Sequence, residues 1–123
     1  MRLSRRAEDY LRIIYELKME KGNVRVRDIA RALNVKPPSV TEMVHRLSSR
    51  GLLIYEKRTR ISLTDDGERL AKSIKDRHSA IITLLKLMGV PAGVASRDAH
   101  RIEHVVSVET IECIKKFVKN VKT

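Results

Sequence analysis

Residues 100 to 104 read HRIEH, two imidazoles and a carboxylate within five residues of a chain otherwise rich in lysine and arginine. A helix turns about 100° per residue, so positions i, i+3 and i+4 lie side by side. His100, Glu103 and His104 therefore share one face if the segment is helical. Three such groups suit a divalent metal ion, and they suit equally a solvated polar face. The elements around them must decide.

The sequence has 123 residues, with 26 Lys+Arg against 15 Asp+Glu and a formal charge of +11. That length makes one domain or two small ones. The cationic excess points to a polyanionic partner, nucleic acid before an anionic membrane. Apolar runs such as IITLL at 81 to 85 are far shorter than the roughly 18 residues a membrane span needs. The N-terminal MRLSRRAEDY lacks the apolar region of a signal peptide, so the expectation is a cytoplasmic protein with no membrane partner. Cys113 is the single cysteine, and its neighbours Ile111 and Ile114 predict a buried thiol.

From Ser4, a good N-cap residue, Ala7, Tyr10, Leu11, Ile14, Leu17 and Met19 form a helical stripe that stops at Gly22-Asn23. A short second helix spans Arg27 to Leu33. Lys36-Pro37-Pro38-Ser39 then starts a third, with Val40, Met43, Val44 and Leu47 as its buried stripe. Two β-prone runs, 52 to 55 and 61 to 64, flank a basic turn and make a hairpin. The pieces form a winged helix-turn-helix.

Thr64-Asp65-Asp66 caps a long helix running to about Met88, and two shorter helices follow, at about 94 to 106 and 108 to 121. The last carries Ile111, Ile114, Phe117, Val118 and Val121, more apolar surface than one short helix hides within its own chain. A twofold homodimer covers such a surface. The predicted fold is mainly α: a winged helix-turn-helix DNA-binding domain with a small β-hairpin wing over 1–66, then an all-α dimerisation and metal-binding domain over 67–123.

On the third helix, Pro38, Thr41, Glu42, His45 and Ser49 lie opposite the apolar stripe and are free to face a major groove. Thr41 and Glu42 have the chemistry to read base edges. Lys36, Arg46, Arg58 and Arg60 suit phosphates, and Ser39 joins them at the helix start.

The motifs AEDYLRIIYEL (7–17), VRDIARALNVKPPSVTEMVHRL (26–47), LTDDGERLA (63–71), DRHSAIITLL (76–85) and DAHRIEHVVS (98–107) resemble, in that order, the diphtheria toxin repressor family, in particular its short manganese transport regulator branch. The resemblance implies a homodimeric repressor that takes a divalent transition metal as corepressor and then binds double-stranded operator DNA of metal homeostasis genes. By position it makes Asp9, His100, Glu103 and His104 the principal metal site and His78 a ligand of a second one. Carboxylates and imidazoles without a thiolate suit Mn2+, Fe2+, Co2+, Ni2+ or Zn2+, and the resemblance puts Mn2+ or Fe2+ first.

Three departures stand out from that pattern. Position 100 is His where the toxin-repressor branch has Cys and the manganese branch has Glu. Position 12 is Arg where the manganese branch has a ligand Glu, so the second site should be weak or absent, with Arg12 either pairing with Glu103 or Asp9 or pointing into solvent. Ile82 and Ser96 stand where the iron-responsive branch places ancillary ligands.

Three other readings compete. HRIEH also spells the H-x-x-E-H of a class of zinc peptidases, although only nineteen residues follow His104 and a basic winged helix precedes it. A winged-helix regulator that needs no metal would leave the triplet as a polar face. A chromatin protein indifferent to sequence would bind any duplex equally.

Overall fold

Ser4 starts the first helix as its hydroxyl predicts: Oγ accepts from the Ala7 backbone N–H at 3.1 Å. Gly22, at φ 86°, ends it with its own N–H bonded to the Lys18 carbonyl, a conformation that favours glycine. In this computed structural model, which describes residues 3–56 and 59–122, the helix is α1 (Arg5–Lys21). It is followed by α2 (Val26–Leu33), α3 (Pro37–Ser49), β1 (Leu53–Glu56), β2 (Arg60–Leu63), α4 (Asp65–Leu87), α5 (Ala92–Ile102) and α6 (Val108–Lys122).

The chain forms two compact units, one ending at Ile74 and the other beginning at Lys75. In the N-terminal unit Tyr10, Leu11 and Ile14 of α1, Ile29 of α2 and Val40, Val44 and Leu47 of α3 are buried in one core with Leu53 and Ile61 of the hairpin. These are the apolar positions of the predicted stripes, except that Met19 is exposed. The strands are antiparallel, pairing Leu53 with Leu63 and Glu56 with Arg60. Val24 bridges to Ile61, which ties the α1–α2 connection to the wing.

Thr64 fastens the end of the hairpin to α4. Its hydroxyl donates to the Gly51 carbonyl at 2.7 Å and accepts from the Gly67 N–H at 3.0 Å. Gly67 is buried, and a Cβ there would sit 2.0 Å from the Leu52 carbonyl oxygen. Only hydrogen fits.

The C-terminal unit has a smaller core of Ile81, Ala99 and Ile111, against which Ile82, Leu85, Ile102, Val106 and Ile114 pack. Two expectations are corrected here. The fifth helix ends at Ile102 rather than near residue 106. Glu103 keeps a right-handed backbone and still bonds to the Ala99 carbonyl, but Val105 turns back to Ile102, so Glu103 and His104 lie in the turn. Cys113 is exposed and not buried. Two residues along a helix is about 200°, which puts Cys113 on the far side from Ile111, beside Phe117, itself 53% exposed. No helix among the described residues is long and apolar enough to cross a membrane.

Asp28 shows what the N-terminal unit does with a buried acid. The carboxylate accepts from Lys21 Nζ at 2.8 Å and from the Arg25 backbone N–H at 2.9 Å. The Lys21 hydrogen bond, helped by Arg25, holds its carboxyl below the ordinary value of 3.8, against burial, which pushes the other way. A lowered value stabilises the fold at pH above the ordinary one and is lost as pH falls through the folded one. Asp28→Ala should therefore cost about 1–3 kcal/mol at pH 7, and urea denaturation should show the gap to the native chain closing below about pH 4.

Candidate metal centre and nucleic-acid face

Glu103 is the most enclosed charged side chain among the described residues, at 1% exposure. An ionised carboxylate buried this far needs partners on both oxygens. Oε2 has one: His78 Nδ1, from α4, lies 2.8 Å away. Oε1 accepts no hydrogen bond among the described residues, although His104 Nε2 lies 3.4 Å from it.

The α5 helix and the turn after it bring the other imidazoles to the same place. Donor atoms of His100, Glu103 and His104 lie within 4.8 Å of one another, and the rings of His100 and His104 meet edge to face with centroids 5.7 Å apart. The triplet thus shares one side as expected, even though the helix stops before its last two members. His100 is exposed, whereas the His104 side chain is enclosed. A buried oxygen without a donor, next to two imidazoles and no thiol, fits a divalent transition ion.

The remaining predicted ligands stand as follows. Asp9 is half-buried on α1. His78 is buried on α4 and bonded to Glu103. Arg12 Nη1 donates to Glu16, one turn on, at 3.3 Å, an i,i+4 pair on the same helix face. Ile82 packs into the C-terminal core and Ser96 is exposed, so neither adds a donor here.

On the winged helix, Lys36, Pro38, Ser39, Glu42, His45, Arg46 and Arg60 are exposed and Thr41 is half-buried. Arg58 lies outside the described residues. Two contacts went unforeseen. Glu42 accepts from Arg46 at 2.8 Å, and the His45 ring meets Tyr55 of β1 at 5.5 Å, nearly edge-on. Both hold exposed groups of α3 in place before any partner arrives. Their i,i+4 spacing makes the first legible in sequence; the second needs the hairpin folded back on α3.

Two family models cover nearly the whole chain: the iron-dependent repressor N-terminal DNA-binding domain matches residues 2–61, and the iron-dependent repressor metal-binding and dimerisation domain matches residues 64–123. The chain belongs to the iron-dependent repressor family. This is the resemblance that the ordered motifs carry. The HTH-type transcriptional regulator MntR of Lysinibacillus sphaericus is 41% identical over 112 residues, 91% of this chain and 81% of the relative. A crystal structure of T. acidophilum IdeR superposes with a TM-score of 0.76 at 35% identity, covering 89% of this chain and 52% of that one. The structure of the manganese regulator SloR gives 0.79 at 32% identity, covering 92% and 53%. This chain spans about half the length of those two solved structures. It is a metal-dependent transcriptional regulator and not an enzyme, which removes the peptidase reading.

Proposed function

We propose that the protein is a cytoplasmic homodimeric repressor that binds double-stranded operator DNA when His100, Glu103 and His104 hold one divalent transition ion, with Asp9 the further donor that the family resemblance implies. Mn2+ or Fe2+ is the corepressor, and the regulated genes serve metal homeostasis. The observation that carries this reading is Glu103, whose buried Oε1 has no hydrogen bond of its own. MntR and SloR, a manganese regulator by name, support the choice of metal. Arg12 stands where a second ion would need a carboxylate, and a guanidinium cannot coordinate a cation.

When bound, the ion supplies a fixed link between its donors. Asp9 shares its unit with the reading helix α3, and the triplet belongs to the unit whose family model is the dimerisation domain. Twofold operators set their half-sites about one helical turn apart, so an orientation fixed in advance raises affinity. DNA in turn tightens metal binding by the same factor, a coupling of about 1–3 kcal/mol.

Titrating metal-stripped protein with Mn2+ in the presence of operator DNA tests the whole reading. Operator affinity should rise about 5–150-fold on adding Mn2+, and His100→Ala, Glu103→Ala or His104→Ala should abolish that rise while sparing nonspecific binding. Equal affinity in excess chelator would return the chain to the metal-independent class.

Lys36 and Arg60 are assigned to phosphates and Thr41 and Glu42 to bases. Lys36→Ala or Arg60→Ala should reduce the salt slope of binding by about 1 with little change in sequence preference. Thr41→Ala should relax preference at one position instead.

The dimer is assigned to the apolar groove lined by Leu84, Cys113, Ile114 and Phe117. Phe117→Glu should yield monomers in sedimentation analysis and speed maleimide labelling of Cys113. Labelling at the same rate in native protein and variant would place the interface elsewhere.

A further inference from the structure

Glu103 uses its two oxygens differently, and the difference assigns a role to His78. Oε2 is 2.8 Å from His78 Nδ1. Oε1 has no hydrogen bond among the described residues and faces His104 Nε2. The family resemblance implies His78 as a ligand of a second ion. We propose instead that His78 is a positioning residue: it donates its Nδ1–H to Glu103 Oε2 and leaves Oε1 as the one oxygen offered to the ion. The proposal rests on the metal site described under Proposed function.

A carboxylate that is to hold a metal ion is ionised and only accepts, and beside such a carboxylate a contact of this length places the proton on Nδ1. In that tautomer Nδ1 has no lone pair for a metal. The two ring nitrogens point well apart, so a ring whose Nδ1–H is aimed at the carboxylate aims Nε2 away from it. The donor atoms that lie within 4.8 Å of one another accordingly include His100, Glu103 and His104 but not His78.

Burial makes the contact count. The His78 side chain is 11% exposed and that of Glu103 is fully enclosed, so water cannot substitute for the imidazole N–H at little cost. With one oxygen tied, Glu103 cannot swing to chelate through both, nor bridge two ions without losing His78. A single ion per chain follows from this bond as well as from Arg12. In the metal-free protein the same N–H compensates part of the burial of the carboxylate.

His78→Asn separates the two roles, because the asparagine amide can donate from about the place of Nδ1 but brings no imidazole. His78→Ala removes both. Calorimetry with Mn2+ on the full chain gives affinity and stoichiometry, and pulsed EPR of the bound Mn2+ counts imidazole nitrogens. Native protein and His78→Asn should bind one ion with two imidazoles and affinities within about threefold, whereas His78→Ala should bind about 10–100-fold more weakly.

A third imidazole on the native ion, or an Asn variant as weak as the Ala variant, overturns the proposal. If His78→Ala fails to fold by circular dichroism, the imidazole count and the native-to-Asn comparison still decide. Native protein that takes up no Mn2+ would fail the metal site itself, whereas a loss confined to His78→Asn fails only the role of His78.

Discussion

A carboxylate held out of water is the constraint around which the C-terminal unit is organised. Removing an ionised acid from solvent costs several kcal/mol after relaxation, and Glu103 recovers part of that from a single imidazole 2.8 Å away. The rest is left open on the side where His104 and His100 stand. The helix that precedes it, the turn that takes over at Ile102 and the placement of His78 on α4 all serve to keep this acid enclosed and half satisfied.

The N-terminal unit holds a buried acid too, and the contrast is instructive. Asp28 is bonded by Lys21 and by a backbone N–H, one partner for each oxygen. Its surroundings complete it, and it fastens α2 to the end of α1. Glu103 is buried more deeply still and has one oxygen left over. Two carboxylates of one chain thus divide into a structural one and a binding one by a single criterion, whether the protein supplies every partner or leaves one for something else.

Much of this was legible in the sequence because period and order carry it. The stripes of α1 and α3 bury as their spacing predicts, and the hairpin forms where the β-prone runs stand. What failed did so for identifiable reasons. The apolar pattern continues through Val105 and Val106, but a shorter-range bond from Val105 to Ile102 closes the helix first. Cys113 has apolar neighbours in sequence, yet neighbours in sequence point to different sides of a helix. The His78–Glu103 bond joins residues 25 apart, and the ring contact of His45 with Tyr55 crosses from α3 to the hairpin. No local pattern encodes either. Arg12 meets Glu16 because a partner four residues on requires only that the one helix be formed.

Gly67 gives the wing an unequal evolutionary freedom. A side chain of any kind at that position meets the Leu52 carbonyl, so the base of the hairpin is closed to mutation. Glu56, Thr59 and Arg60, at its far end, are exposed. A lineage exploring new operators could thus rewrite the tip freely while the anchor stays the same, and deep mutational scanning would record this as a gradient of tolerance running down one hairpin.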